Sequence, residues 1–115
     1  MKVFISQPMH GMKEEVVLKV IDGIFEAVKK LVTSDKPVEL IDNYHKNIPE
    51  DAGRIWCLGD SIKLMDSADL IIFAPGWNTT NGCHIEHEIA DIYNKNIIYA
   101  ICDNGEWRFR EEVEV

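Results

Sequence analysis

Hydrophobic residues along the chain form short unbroken runs, separated by longer stretches in which apolar positions recur every three or four residues. The runs Val3–Ile5, Leu70–Ala74 and Ile97–Ile101 have the length and composition of strands buried on both faces. A further run, Pro37–Ile41, starts at a proline and places Glu39 among apolar residues, which is typical of an edge strand. The pattern therefore predicts four strands, of which the second along the chain lies at an edge.

The stretches between these runs predict three helices. The first begins near Glu14 and ends near Thr33, the second extends from about Arg54 to Asp66, and the third begins at about Gly82. Gly23 weakens the first helix slightly and permits close packing on the sheet. The residues predicted to face the sheet are Val17, Val20, Ile21, Ile24, Val28 and Leu31 in the first helix, Leu58, Ile62 and Met65 in the second, and Ile85, Ile89 and Ile92 in the third.

Strands and helices alternate along the chain, which predicts one α/β domain with a parallel sheet and right-handed crossovers. We expect a flavodoxin-like or Rossmann-like fold over residues 1–115, with a mostly parallel sheet of four or five strands in the order 2-1-3-4 and helices on both faces. Asp103-Asn104-Gly105 is predicted to form a turn, and Trp107 to Val115 is a short charged tail with no predicted element. The connection from Asp42 to Gly53 is long and lacks periodicity, and we interpret it as a flap over the site.

Composition and charge restrict the classes of partner. Of the 115 residues, 46% are hydrophobic and 28% are charged, as in globular domains, and the formal net charge is −8. Such a surface repels polyanions, so we expect no nucleic-acid partner. No apolar run approaches the roughly 18–20 residues of a membrane span, and no signal peptide precedes the first strand, so we expect no membrane partner. The three cysteines, Cys57, Cys83 and Cys102, are odd in number and far apart, which indicates reduced thiols and a cytoplasmic location.

Ligands of open α/β sheets bind beyond the carboxyl ends of the strands, where the strand order reverses. In the predicted order this switch point lies between the first and third strands, and the loops after Ile5 and Ala74 flank it. The second loop has a glycine at each end and several polar groups, which suits a phosphate at the helix start, although it matches neither a P-loop nor a dinucleotide fingerprint. Its Trp77 offers a ring for stacking on a base, or packs in the core. The predicted substrate-binding residues are Ser6, Gln7, Pro8, Gly76, Trp77, Asn78, Thr80, Asn81 and Gly82.

Glu86 is the candidate for chemistry because it falls in the first turn of the predicted third helix, beside the stripe that faces the sheet. A glutamate there interacts favourably with the helix dipole even when it has no function. In a partly buried cleft the same dipole also keeps the carboxylate ionised, as a nucleophile must be. Burial raises the pKa of a carboxyl group, and we expect the dipole and the loop donors to outweigh it at neutral pH. His84, His87, Glu88 and Asp91 lack the spacing of a metal site, and we interpret them as solvated surface and predict no metal.

Three segments of the chain resemble the nucleoside 2-deoxyribosyltransferase superfamily. They are the N-terminal Val-Phe-Ile-Ser-Gln-Pro-Met, the central Ala-Asp-Leu-Ile-Ile-Phe, and a Gly-x-x-x-Glu-x-x-x-Ala pattern that spans Gly82, Glu86 and Ala90. The superfamily includes the deoxynucleoside 5′-monophosphate N-glycosidases, and the chain looks most like a branch of small, functionally unassigned proteins of bacteria and phages. The resemblance extends to about Ile101.

The resemblance implies an enzyme that cleaves or transfers the N-glycosidic bond of a (deoxy)nucleoside or its 5′-monophosphate without a cofactor. In such an enzyme Glu86 attacks C1′ of the sugar and expels the base, and water or a second base resolves the covalent intermediate. The superfamily's acid, which assists departure of the base, falls on Asp60 or on Ser61. His84 and Glu88 depart from the pattern, since relatives have small residues at these positions.

The resemblance also implies a homo-oligomer, a dimer or larger, because members of the superfamily share site edges between subunits. Trp107 and Phe109 in the tail favour the same expectation, since exposed aromatic surface usually has a partner. The alternative function is a non-catalytic module that binds a nucleotide or a nucleotide derivative on the same fold. Both functions require a small-molecule nucleoside or nucleotide, and release of free base distinguishes them.

Overall fold

A five-stranded sheet lies at the centre of the structure. A computed structural model describes residues 1–32, 35, 37–44 and 49–111, and within them the strands are β1 (Lys2–Ser6), β2 (Glu39–Leu40), β3 (Leu70–Phe73), β4 (Ile97–Asp103) and β5 (Glu106–Arg110). Their order is β2-β1-β3-β4-β5, and every neighbouring pair is parallel except β4 and β5. The predicted mostly parallel sheet and the order 2-1-3-4 are confirmed, and a fifth strand follows at the β4 edge.

Helices cover both faces of this sheet, as in a flavodoxin-like fold. In the described part of the chain they are α1 (Glu14–Leu31) on one face, and α2 (Arg54–Met65) and α3 (Asn81–Ile92) on the other. Side chains of a strand alternate between the two faces, so Val3 and Ile5 pack with α1, whereas Phe4 packs in the cluster that α2 and α3 cover. None of these helices is both long and apolar enough to cross a membrane.

Most of the residues predicted to face the sheet from α1 and α2 are buried or half-buried. Four of the six residues predicted for α1 are buried, while Leu31, the last residue of the helix, is 62% exposed. In α2 the buried residues are Met65, as predicted, and Ser61, while Leu58 and Ile62 are half-buried. A serine on the buried face of α2 is the first sign that this layer of the protein is not wholly apolar.

The residues after 103 form a hairpin where no element was predicted. Asn104 and Gly105 connect β4 to β5 and have positive φ angles of 51° and 80°, as two-residue turns between antiparallel strands require. Trp107 and Phe109 lie on one face of β5 and are half-buried against the α1 side of the core. They therefore do not supply the exposed aromatic surface on which the expectation of a homo-oligomer partly rested.

Gly23 permits a close approach between α1 and β5, in line with its predicted role. A Cβ atom placed on Gly23 would lie 2.6 Å from Nε1 of Trp107, which is closer than any real contact. The indole therefore rests directly on the helix backbone. Gly59 in α2, by contrast, has no atom within 4 Å of such a Cβ.

The Gly23→Ala substitution is expected to lower the free energy of unfolding by about 1–3 kcal/mol, because the added methyl group displaces Trp107 from a packed position. The Gly59→Ala substitution adds the same methyl group to open space and is expected to raise the free energy of unfolding by up to about 1 kcal/mol, through helix propensity alone. Urea unfolding followed by tryptophan fluorescence measures both. Equal effects of the two substitutions would contradict the packing of Trp107 on α1.

Candidate functional site

The carboxyl ends of β1 and β3 lie side by side, because Ser6 is paired with Phe73 in the register of the two parallel strands. The backbone N–H of Ala74 donates a hydrogen bond of 2.9 Å to the carbonyl oxygen of Ser6. Pro8 then lies against the next loop, with its Cγ 3.5 Å from the position of a Cβ on Gly76. The two loops that the sequence places at the switch point are therefore neighbours.

The loop between β3 and α3 turns at Gly76, which has a φ of 87°, and continues as one turn of 3-10 helix, Trp77–Thr79. The hydroxyl of Thr79 donates to the Gly76 carbonyl at 2.7 Å, and that of Thr80 donates to the Trp77 carbonyl at 3.5 Å. The Thr79 proton is thus directed to the loop's own backbone, whereas the Thr80 hydroxyl also interacts with the Cys83 thiol and lowers its pKa. Asn78 and Asn81 are exposed at its surface. A ligand at this loop therefore meets side-chain amides and backbone N–H groups rather than the Thr79 donor.

Trp77 packs within an aromatic cluster rather than standing open to a base. Its indole stacks on the imidazole of His87, with ring centroids 4.2 Å apart and planes inclined by 19°. Phe73 and Tyr99 contact the same two rings, and the Tyr99 hydroxyl and Nε2 of His87 form a hydrogen bond of 2.6 Å. The sequence left open whether Trp77 stacks on a base or packs in the protein. The face of the indole that His87 covers is packed.

His87 is half-buried in this cluster, so its interpretation as solvated surface is wrong. Burial lowers the pKa of its imidazole, against the opposing effect of the Asp91 and Glu88 carboxylates. His84 and Glu88 are exposed, which agrees with their interpretation as solvated surface. Over the described ranges no group of three or more His, Cys, Asp or Glu side chains is placed to hold a metal ion.

The buried face of α3 differs from the predicted stripe. Cys83, Glu86 and Ala90 are buried, whereas Ile85 is 40% exposed and Ile92 is 67% exposed. The prediction followed the large apolar residues, but the helix turns a carboxyl group and two small side chains towards the sheet. A glutamate is rarely buried at such a position without a reason.

Glu86 lies in the second turn of α3, not in the first, because the helix begins at Asn81. Its residue exposure is 7%, and burial raises the pKa of its carboxyl group from the ordinary 4.5 to about 7, while the Ser6 hydroxyl opposes the shift. The expectation that the helix dipole and the loop donors would outweigh burial is therefore wrong. Near neutral pH the group is divided between its acid and its ionised form, which is the range in which a side chain can exchange protons in catalysis.

Three buried side-chain oxygens have no hydrogen-bond partner among the described residues: Oγ of Ser6, Oε1 of Gln7 and Oε2 of Glu86. An unsatisfied buried polar atom costs about 1–3 kcal/mol, and native proteins contain few of them. Here all three belong to residues that the sequence assigned to the site. Unsatisfied oxygens at the carboxyl end of the central strands are what a polar ligand would complete.

Asp60 and Ser61, the alternatives for the acid, lie in the middle of α2, which contacts α3. Ser61 is 8% exposed, and Asp60 is half-buried. Of the two, the Ser61 hydroxyl is therefore the buried group and the Asp60 carboxyl group is the partly exposed one. Both side chains make further interactions within the protein.

Two residues of this region were not identified from the sequence. Cys83 is 4% exposed, one helical turn before Glu86, and the spacing of the two was the only available signal. Asn43 is 4% exposed, and its side-chain amide donates to the Ile5 carbonyl at 2.8 Å, which ties the chain after β2 to the end of β1. The middle of the connection interpreted as a flap, residues 45–48, lies outside the described residues.

Comparison with known proteins identifies a family but no named relative. The model of the family described as "Domain of unknown function (DUF4406)" matches residues 1–99, which include all the candidate site residues. No curated protein and no solved structure matches the chain.

Proposed function

The chain belongs to the DUF4406 family, known as nucleoside 2-deoxyribosyltransferase-like domains, and we propose that it cleaves or transfers the N-glycosidic bond of a (deoxy)nucleoside or its 5′-monophosphate. The reaction passes through a covalent glycosyl ester of Glu86. The related reaction of the deoxynucleoside 5′-monophosphate N-glycosidases corresponds to hydrolysis, in which water accepts the sugar.

The observation that carries the proposal is the buried carboxyl group of Glu86, whose Oε2 has no hydrogen-bond partner among the described residues. A carboxylate held there has lost most of its water, so it is a better nucleophile than an exposed one and interacts more strongly with a developing positive charge. Its pKa of about 7 leaves a large ionised fraction at neutral pH. Stability alone does not explain such a group, because a buried neutral side chain would avoid the cost of ionisation.

Two displacements complete the reaction. In the first, an ionised oxygen of Glu86 forms a bond to C1′ while the bond from C1′ to the base nitrogen breaks, and the leaving base takes a proton from a nearby acid or from water. In the second, water or the nitrogen of another base attacks C1′ from the opposite face and releases the Glu86 carboxylate, and the attacking group gives its proton to the acid or the water that supplied one in the first step. Each step inverts C1′, so the product retains the original configuration.

The position of Ser61 favours the second candidate, a non-catalytic module that binds a nucleotide or a nucleotide derivative. If the buried hydroxyl of Ser61, rather than the Asp60 carboxyl group, faces the ligand, neither of these two residues supplies the proton that assists the leaving base. The unsatisfied oxygens then serve recognition only. Ligand binding without release of a base would identify this function.

Incubation with common ribonucleosides, 2′-deoxynucleosides and their 5′-monophosphates is expected to release free base from at least one of them, without added metal and equally in the presence of a chelator. Chromatography detects the base, and addition of a second base distinguishes transfer from hydrolysis through the appearance of a new nucleoside. Tight binding of a nucleotide with no base released across the panel would favour the binding module. Activity that disappears with a chelator and returns with a divalent ion would overturn the metal-free mechanism.

A further inference from the structure

Ser6 lies on the face of the sheet that α3 covers, because side chains alternate along β1 and Phe4 packs in the cluster under α2 and α3. Its side chain is 1% exposed at the last position of β1, and Oγ has no hydrogen-bond partner in the part of the chain that the structure describes. Cys83 and Glu86 are one helical turn apart on the buried face of α3. The Ser6 hydroxyl is close enough to both to lower the pKa of the thiol and of the carboxyl group. The Ser6 hydroxyl can therefore donate its proton either to the Cys83 sulfur or to the Glu86 carboxyl group.

A serine hydroxyl has one proton to donate, so Ser6 can stabilise a charge on only one of these groups at a time. Burial raises the pKa of the Cys83 thiol, so Cys83 remains an S–H donor at neutral pH. Glu86 is the group that ionises first. When it does, the Ser6 proton is free to turn towards it while the thiol donates to Ser6 Oγ.

We propose that Ser6 is a positioning residue that holds the Glu86 carboxylate ready for attack, and that Cys83 orients the Ser6 hydroxyl for this role. The inference rests on the proposed function, and it assigns Ser6 a role other than contact with substrate. Among the described residues neither Glu86 Oε2 nor Ser6 Oγ has a hydrogen-bond partner, so each can satisfy the other once the carboxyl group has lost its proton. Formation of the ester at Glu86 releases the Ser6 proton again.

Few other titratable groups act on Glu86. Cys83 precedes it by one turn on α3, and α2, which contacts α3, contributes the half-buried Asp60. β3 (Leu70–Phe73) and the turn Trp77–Thr79 contain no titratable residue, and β1 contributes only the exposed Lys2 at its opposite end. Burial and the Ser6 hydroxyl are accordingly the causes that determine the pKa of Glu86.

The Ser6→Ala substitution in the full chain is expected to move the midpoint of Glu86 ionisation upwards by about one to two pH units, the scale of a hydrogen bond to a charged group. The carboxyl carbon of Glu86, followed by NMR across a pH titration, reports this midpoint without any substrate. In kinetics, the base-release rate is expected to fall by about 10–100-fold at pH 6 and to approach the wild-type rate at high pH. A purely structural effect would lower the rate equally at every pH.

Two further variants make the test specific. Ser67→Ala removes an exposed hydroxyl that donates to the Leu64 carbonyl, and it is expected to leave the Glu86 midpoint unchanged. Ser6→Cys retains a similar shape with a weaker donor, so it is expected to give a smaller upward shift, and it tests the proposal if Ser6→Ala does not fold.

The outcomes separate the two proposals. An unchanged NMR midpoint in folded Ser6→Ala and Ser6→Cys proteins would overturn the role of Ser6 and leave the function intact. A shifted midpoint in a protein whose wild-type form releases no base would support the hydrogen bond and overturn the proposed function.

Discussion

Replacing Glu86 by glutamine is expected to reduce base release by at least ~10³-fold, because loss of a group that forms the covalent intermediate has effects on this scale. Glutamine retains the shape of the side chain and cannot form the glycosyl ester. Single-turnover measurement of free base at saturating substrate isolates this step from binding. A Glu86→Gln protein that releases base as fast as the wild type would show that another group is the nucleophile.

The same substitution is expected to change stability in a pH-dependent manner. The folded protein holds the Glu86 proton up to a pKa of about 7, whereas the unfolded chain releases it near 4.5, so the folded state binds more protons between these values. The free energy of unfolding of the wild type therefore falls as pH rises from 4.5 to 7, by on the order of 3 kcal/mol from this residue. The Glu86→Gln protein has no carboxyl group to ionise at this position. Its free energy of unfolding is therefore expected to rise relative to that of the wild type across the same pH interval.

Glu88→Gln is the matched control. Glu88 lies two residues further along α3 and is exposed, and the substitution removes the same charge. It is expected to change the rate by less than about tenfold and to retain the loss of stability that ionisation of Glu86 causes. A gain in stability at Glu86 together with a large loss of activity is the pattern of a residue retained for function rather than for folding.

The sheet could be predicted because its strands are apolar on both faces. Val3, Phe4 and Ile5 need no alternation when helices cover both sides, and an unbroken run is then a reliable signal. The β5 hairpin was missed because its strand alternates charged and aromatic residues, a pattern that resembles an exposed tail. The Asn104-Gly105 pair was the available signal, and it is a strong one for a two-residue hairpin turn.

The site was harder to predict than the fold because its chemistry contradicts the hydrophobic pattern. Large apolar residues predicted the buried face of α3 only in part, since Ile89 packs against the core but Ile92 faces outward and Glu86 inward. The sequence identified Glu86 through spacing and resemblance, but it did not predict the pKa of the group. That quantity depends on burial by residues distant along the chain, and on the Ser6 hydroxyl of β1.

The choice between Asp60 and Ser61 leads to the second large effect. Departure of a base from C1′ is assisted by a proton, and of these two side chains only the carboxyl group can supply one, which typically contributes 10²–10⁴-fold. Asp60→Asn is therefore expected to reduce base release by at least ~10²-fold, whereas Ser61→Ala is expected to reduce it by less than about tenfold. Asp66→Asn, at the exposed end of α2, provides a control of equal charge change.

A substrate whose base leaves without protonation tests whether Asp60 is the acid. A purine nucleoside methylated at N7 loses its base as a neutral molecule, so protonation no longer assists the step. With such a substrate the Asp60→Asn protein is expected to recover most of the wild-type rate, while Glu86→Gln remains inactive, because the nucleophile is required whichever base departs. A large loss in Ser61→Ala with little loss in Asp60→Asn would instead assign the position to Ser61, and the mechanism would then proceed without an acid on α2.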